Sequence, residues 1–282
     1  MNPAFLIAAL ASTLYGSADF SGGIAARRAS APLVTMFSGF AAIAVLLVGL
    51  PFVHGAPSRV DLGWAAAAGL AGAAGAALIY YSLALGPVSV ASPIFCVVGL
   101  SVPVLIGFVL GERPTAWAWS GVALAVVAIP PLSWTDEARS SYPPAHVRRT
   151  VLIAILTGLV VGWFLVFLAR IGPRAGLMPL LLARVVAMLA LAALLLARGR
   201  SLRIPSGARR VASLAGALDS AANLAYFLAV QRAPMALVAT LVSLAPATTV
   251  LLARLTLGER WTAPQRWGLG LALAAGALIS RG

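Results

Sequence analysis

The sequence has no lysine; all 20 of its basic residues are arginine. Charge of either sign is scarce, at 10% of 282 residues, where a soluble domain typically carries about a quarter. A soluble fold this poor in polar groups could not cover its own surface. A chain facing lipid needs little besides apolar side chains. Only one cysteine is present, Cys96, so an internal disulfide is excluded, and its place inside an apolar run makes it a small hydrophobe in the packing. No zinc or iron–sulfur spacing occurs. The two histidines, His54 and His146, fall between apolar runs, and there is neither a Gly-x-Ser-x-Gly element nor a Walker motif. With no clustered nucleophile and base, the chain is not expected to be an enzyme, and no cofactor or metal is expected.

The net charge of +13 invites a nucleic-acid reading. The arginines do not support it. Nearly all of them fall in short gaps between apolar runs, with no basic helix face and no aromatic-basic interleave. They read instead as flanking charges that anchor and orient membrane helices. Heavy alanine and arginine use without lysine is the composition of a GC-rich bacterial gene, which suggests the inner membrane of a bacterial cell. The first apolar run has no basic residue before it and is longer than a signal-peptide core, so it is read as a span.

What fills the chain is apolar: 61% hydrophobic residues and a mean hydropathy of +1.00. A bilayer crossing needs about 20 apolar residues. Ten such runs are predicted, at 3–25, 31–53, 62–84, 88–110, 115–134, 150–170, 177–197, 210–230, 235–257 and 264–280. Breaks such as Arg27-Arg28, Gly86-Pro87, Gly111-Glu112-Arg113-Pro114 and Gly172-Pro173-Arg174 separate them. The longest polar stretch, 135–149, follows the fifth run and acts as a linker between residues 1–134 and 150–282.

The two halves repeat. Displaced by 147 positions, Leu110-Gly111-Glu112-Arg113 falls on Leu257-Gly258-Glu259-Arg260, Thr115-Ala116 on Thr262-Ala263, Gly121 on Gly268 and Pro87 on Pro234. Five spans is an odd number, so the second half must insert upside down relative to the first. The expected fold is therefore an all-α integral membrane protein with ten transmembrane helices in two inverted five-helix repeats. Inverted repeats are a hallmark of secondary transporters, whose site lies near the midplane between the halves.

With these features the sequence resembles the EamA family of the drug/metabolite transporter superfamily. The carriers of the resemblance are the two five-span repeats, the Leu-Gly-Glu-Arg element closing the fourth span of each, and the glycine-rich tenth span at 268–276. Arg184 in the seventh span matches a position where such proteins often carry arginine. The resemblance covers essentially the whole chain. It implies a secondary transporter exporting small metabolites across the cell membrane by alternating access. Aromatic residues near the centres of spans three, six and eight make it similar to amino-acid exporters of the YddG type. The implied partners are a small-molecule substrate and the lipid bilayer, with the chain acting as a monomer. A passive channel or facilitator for small solutes is the alternative, although channels more often build pores from rings of repeated polar groups. With no ATP site, active transport must draw on an ion or solute gradient.

Two expectations conflict over orientation. The family places both termini in the cytoplasm. Here that puts thirteen arginines outside, among them Arg27, Arg28, Arg198 and Arg210, and six inside, among them Arg59 and Arg113. The positive-inside rule argues for the reverse. Pro246 in span nine fits the family pattern, but its repeat counterpart is Gly99, with Pro103 one turn later. The matching bend in span four is therefore expected elsewhere.

Polar groups deep in a span are costly and usually face the bundle interior or a wet cavity. Span one offers Tyr15 and Asp19, four apart on one face, as the rim or floor of a substrate path; alternatively Asp19 is solvated beside Arg27-Arg28. Span eight offers Asp219, Asn223 and Tyr226 on one stripe, with Asp219 near the midplane. Arg184 is its candidate partner, and the two stand either as substrate or coupling groups or as a structural ion pair. Tyr80 and Tyr81 in span three offer an aromatic wall or belong to the interfacial belt. Trp163, near the middle of span six, is expected to line the cavity, and Ser243 in span nine could reach the midplane. Glu112-Arg113 and Glu259-Arg260 read as interface or cap contacts. The predicted cavity is bounded by spans one, three, four, six, eight and nine.

Overall fold

A computed structural model describes residues 3–26, 28–51, 53, 55–85, 88–132, 144–199, 203–257 and 262–281. The described residues are helical without a strand. The helices are α1 (Pro3–Ala26), α2 (Ala31–Gly49), α3 (Arg59–Leu85), α4 (Val88–Val109), α5 (Ala116–Leu132), α6 (Pro144–Ala169), α7 (Met178–Ala197), α8 (Ser206–Val230), α9 (Met235–Val242), α10 (Ala245–Leu257) and α11 (Ala263–Ile279). Helix is the form that satisfies every backbone group within its own segment, which hydrocarbon demands. Among the described residues, seven segments are long and apolar enough to cross a membrane, one of them formed by α9 and α10 together; the part of α4 whose side chains are described, Ile94–Val109, and α5 are shorter apolar stretches.

The ninth predicted span is two helices, not one. Pro246 has no N–H to donate to the carbonyl of Val242, four residues back, and its ring crowds that carbonyl. The helix stops at Val242 and restarts at Ala245. Span four, with Pro103 inside it, runs unbroken as α4.

Packing depends on small residues. A Cβ on Gly16 of α1 would overlap Ala245 and Thr248 of α10. The Thr249 hydroxyl, in the same crossing, donates to the Gly16 carbonyl at 2.9 Å. Several of these contacts recur 147 positions apart. Gly69 of α3 presses on Ala183 of α7, and Gly216 of α8 presses on Ser38 of α2. Gly121 of α5 meets Ala275 and Ile279 of α11, while Gly268 of α11 meets Ala128 and Leu132 of α5. The start of α5 thus lies against the end of α11 and the reverse, so the two helices are antiparallel.

The largest core cluster joins Phe5, Leu46, Leu100, Val104, Leu168 and Leu180, and it fills the end of the bundle where α1 begins and α4 ends. Loops at this closed end are tied together. The Ala56 amide donates to the Arg174 carbonyl at 3.0 Å, the Gly172 amide to Asp61 Oδ1 at 2.7 Å, and Gln231 Nε2 to the Ile171 carbonyl at 2.7 Å.

Candidate functional site

A cavity of about 1220 Å³ occupies the other part of the bundle. Its lining reaches the C-terminal end of α1 at Gly23 and Ile24 and the start of α2 at Val34 and Thr35; towards the closed end it stops at Tyr15 on α1, but on α6 and α7 it runs down to Leu168 and Leu180 of the core cluster. Helices from both halves of the chain contribute. Beyond the six predicted spans, α2 and α7 also form its walls, through residues such as Ser38, Gly39 and Met188.

One hydrogen-bonded network crosses the cavity. The Tyr15 hydroxyl of α1 donates to Asn223 Oδ1 of α8 at 2.8 Å. Asn223 Nδ2 donates to the Asp219 carbonyl at 2.7 Å and to Asp219 Oδ2 at 3.3 Å. Arg184 Nη2 of α7 donates to that same Oδ2, closing an ion pair. The pair is partly exposed to the cavity, at 24% for Arg184 and 34% for Asp219. Asp219 sits near the middle of the 25-residue α8. Water in the cavity moderates the cost of holding charge there, and the pairing removes most of the remainder. Asp19, one turn beyond Tyr15, lines the same cavity and has no hydrogen bond or ion pair among the described residues. Ser243 also lines it, in the break between α9 and α10, with its hydroxyl donated to the Thr240 carbonyl at 2.8 Å.

The remaining predicted residues lie elsewhere. Tyr226 is wholly buried, and its hydroxyl donates to the Leu165 carbonyl of α6 at 3.0 Å. It is on the stripe of Asp219 and Asn223, but about 4.5 Å further along the helix than Asn223, past the floor of the cavity. Trp163 is 42% exposed, outside the cavity. It packs on Phe167, which stacks on Trp64 in a groove on the outer face of α3 and α6. Its neighbour Phe164 is the α6 aromatic that faces inward. Tyr81 is 43% exposed and accepts a 2.8 Å hydrogen bond from Arg149. The Tyr80 side chain lies outside the described residues. Sequence reasoning also missed Phe20, Phe95 and Gln265, which line the cavity.

Glu112 is a cap, as expected, and it joins the two halves. Its Oε1 accepts the Met235 amide at 2.6 Å and its Oε2 the Ala236 amide at 2.9 Å, which satisfies the first turn of α9. Gly107 leaves room for it; a Cβ there would overlap Glu112 Oε2. Glu259 lies outside the described residues.

The model of the EamA-like transporter family matches the chain twice, over residues 2–134 and 148–281. The chain belongs to the EamA-like transporter family. That membership makes it a multi-pass membrane protein, a transporter of small solutes and not an enzyme. No curated protein sequence matches it. One solved structure, titled only "Crystal structure of protein", has the same fold at a TM-score of 0.78 and 18% identity, covering 99% of this chain and 96% of that one.

Proposed function

We propose that this EamA-family protein exports small amino-bearing metabolites, amino acids in the first instance, across a bacterial inner membrane by alternating access. The observation that carries the reading is the polar network of Tyr15, Asn223, Asp219 and Arg184, drawn from three helices into a cavity that both halves of the chain line. On this reading the chain crosses the bilayer ten times, with α9 and α10 sharing one crossing. The crossings form two inverted repeats, 1–134 and 150–282, joined by the linker 135–149. The twofold family match, the reciprocal glycine contacts 147 positions apart and the antiparallel meeting of α5 with α11 support it. The cavity is open at one end of the bundle and sealed by packed side chains at the other, as one state of a rocking carrier requires.

Of the predicted residues, Tyr15, Asp19, Asn223 and Ser243 remain substrate-contacting groups in this proposal. Asp219 with Arg184 is the pair that orders the site or couples it to a proton. Counterflow in proteoliposomes tests the proposal. Saturable, trans-stimulated uptake of an amino acid is expected, and Asn223→Leu should lower it at unchanged folded yield. A linear, non-saturable flux would instead mark a channel or facilitator.

A further inference from the structure

Among the described residues, the walls of the cavity carry more negative than positive charge: the charged ones are Asp19, Asp219 and Arg184. The guanidinium of Arg184 pairs with Asp219 through Nη2, and the Asp219 carboxylate also receives Asn223 Nδ2. Tyr15, on the same face of α1 as Asp19, donates its hydroxyl hydrogen bond to Asn223 Oδ1. Each member of the network therefore has a partner within it, and among the described residues Asp19 has none. The helices packed on α1 are α2, α8, α9 and α10. On the cavity they set Thr35 and Ser38, Asp219, Ser220 and Asn223, and Thr249 around it, and none of these is a cation. The other described acids are accounted for: Asp61 takes the Ser58 and Gly172 amides, and Glu112 takes those of Met235 and Ala236.

Asp19 is exposed in the open cavity of this state; a carboxylate that loses its water when the cavity closes, with no cation beside it, is costly, and a substrate entering with a positive charge recovers that cost. We infer that Asp19 is the residue that selects the substrate, and that the substrate is an amino compound of net charge +1 with an apolar body. The inference rests on the transporter reading and narrows it. A zwitterion leaves the cavity with its excess negative charge, and its carboxylate can use the remaining N–H groups of Arg184 only while standing beside Asp219. A monocationic amine meets Asp19 and disturbs nothing else. Phe20, Phe95, Phe164 and Leu100 supply apolar wall for the body. The glycines and alanines of α3, Gly72, Gly75 and Ala76 among them, leave it room.

Three probes that share one body separate the charges: phenethylamine (cation), phenylalanine (zwitterion) and 3-phenylpropionate (anion). Equilibrium binding is measured on the full chain in lipid nanodiscs, and flux of the same compounds in proteoliposomes. Phenethylamine should bind roughly 10- to 100-fold more tightly than phenylalanine, the range of one charge-assisted contact, and 3-phenylpropionate more weakly than either. Asp19→Asn should remove that preference, and Asp19→Glu should restore part of it. Phenylalanine binding as tightly as phenethylamine overturns the inference, as does an unchanged preference in folded Asp19→Asn. In both cases saturable flux of any probe leaves the carrier reading standing. Non-saturable flux of all three removes the carrier reading and this inference with it. Should Asp19→Asn not fold, the order of the three probes on the wild-type chain decides.

Discussion

Glu112→Ala removes both hydrogen bonds that hold the start of α9 to the loop after α4. Each joins a carboxylate oxygen to a backbone amide, Met235 at 2.6 Å and Ala236 at 2.9 Å, a class of contact worth about 1.5–3 kcal/mol net. The carboxylate also sits at a helix N-terminus, worth about 0.3–1 kcal/mol more at an exposed site. These terms are not additive, so about 2–4 kcal/mol is at stake. α9 has only 8 residues, and its partner across the closed end is α4. If the two halves rock, this contact must part when the closed end opens. The substitution then weakens only the state described here. At a factor of ten per 1.4 kcal/mol, the balance shifts about 30- to 700-fold towards the opposite state. The readout is a cysteine at Ala11, which is fully buried in the core of the closed end, in a Cys96→Ala background. A membrane-impermeant maleimide added from that end should label it slowly with Glu112 present and at least tenfold faster without it. Gly107→Ala, which pushes on the same carboxylate, should act in the same direction. An unchanged labelling rate in a Glu112→Ala protein of lowered thermal stability would refute the reasoning, because the cap would then be made in both states.

Breaking the Arg184–Asp219 pair from one side should cost more than removing it whole. Thermal unfolding in detergent should place Arg184→Ala about 1–3 kcal/mol below the wild type, the pair being partly wet, and Arg184→Met with Asp219→Leu nearer to it. Gly216→Ala and Gly69→Ala each drive a methyl into a neighbouring backbone carbonyl, and each should lower the unfolding midpoint by the equivalent of about 1–3 kcal/mol or more; Gly270→Ala, with open space around it, should not. For orientation, the arginine excess lies at the end of the bundle where the cavity opens. A reporter fused after Gly282 should therefore be active in the periplasm, and cytoplasmic activity would show that the family topology prevails over the charge bias.

The apolar helices and the twofold repeat of the family were legible because each rests on a strong signal: run length against bilayer thickness, and a constant displacement of 147. Which face of a helix looks inward was much less so. In a soluble bundle the apolar stripe marks the core, but a helix between lipid and protein is apolar all round. Nothing local to α6 distinguishes Trp163, which faces outward, from Phe164, which lines the cavity. Polar side chains do carry a direction, since few tolerate lipid, and Tyr15, Asp19, Asp219, Asn223 and Ser243 all point to one cavity. Depth was the harder coordinate. Tyr226 has the right face, but it lies beyond the cavity floor, and its hydroxyl is taken up by a carbonyl of α6. The break in span nine could be read from Pro246, whose missing donor is the one that Val242 would need.

Across the α3–α8 pair the duplicated scaffold carries its polar groups in one copy only. Along α3 and α8 the repeat register sets Gly69 on Gly216, and both make the same kind of close helix contact. In that register Asp219 falls on Gly72 and Asn223 on Ala76. Both α3 residues line the cavity. The positions that hold a carboxylate and an amide on one wall are therefore bare on the other. The two roles make opposite demands on the repeats. On the alternating-access proposal, equivalent packing in both halves would let the bundle exchange one closed end for the other at little difference in energy. A substrate that must be held in one orientation needs polar groups on one side and space opposite them. Glycine and alanine in α3 meet the second demand without disturbing the first, because they leave the backbone contacts of the repeat intact. Filling the bare wall, as in Gly72→Leu, should therefore cost binding more than folding. A Cβ at Gly72 meets only the edge of the Phe164 ring, at 3.3 Å, and the rest of the side chain would project into the cavity.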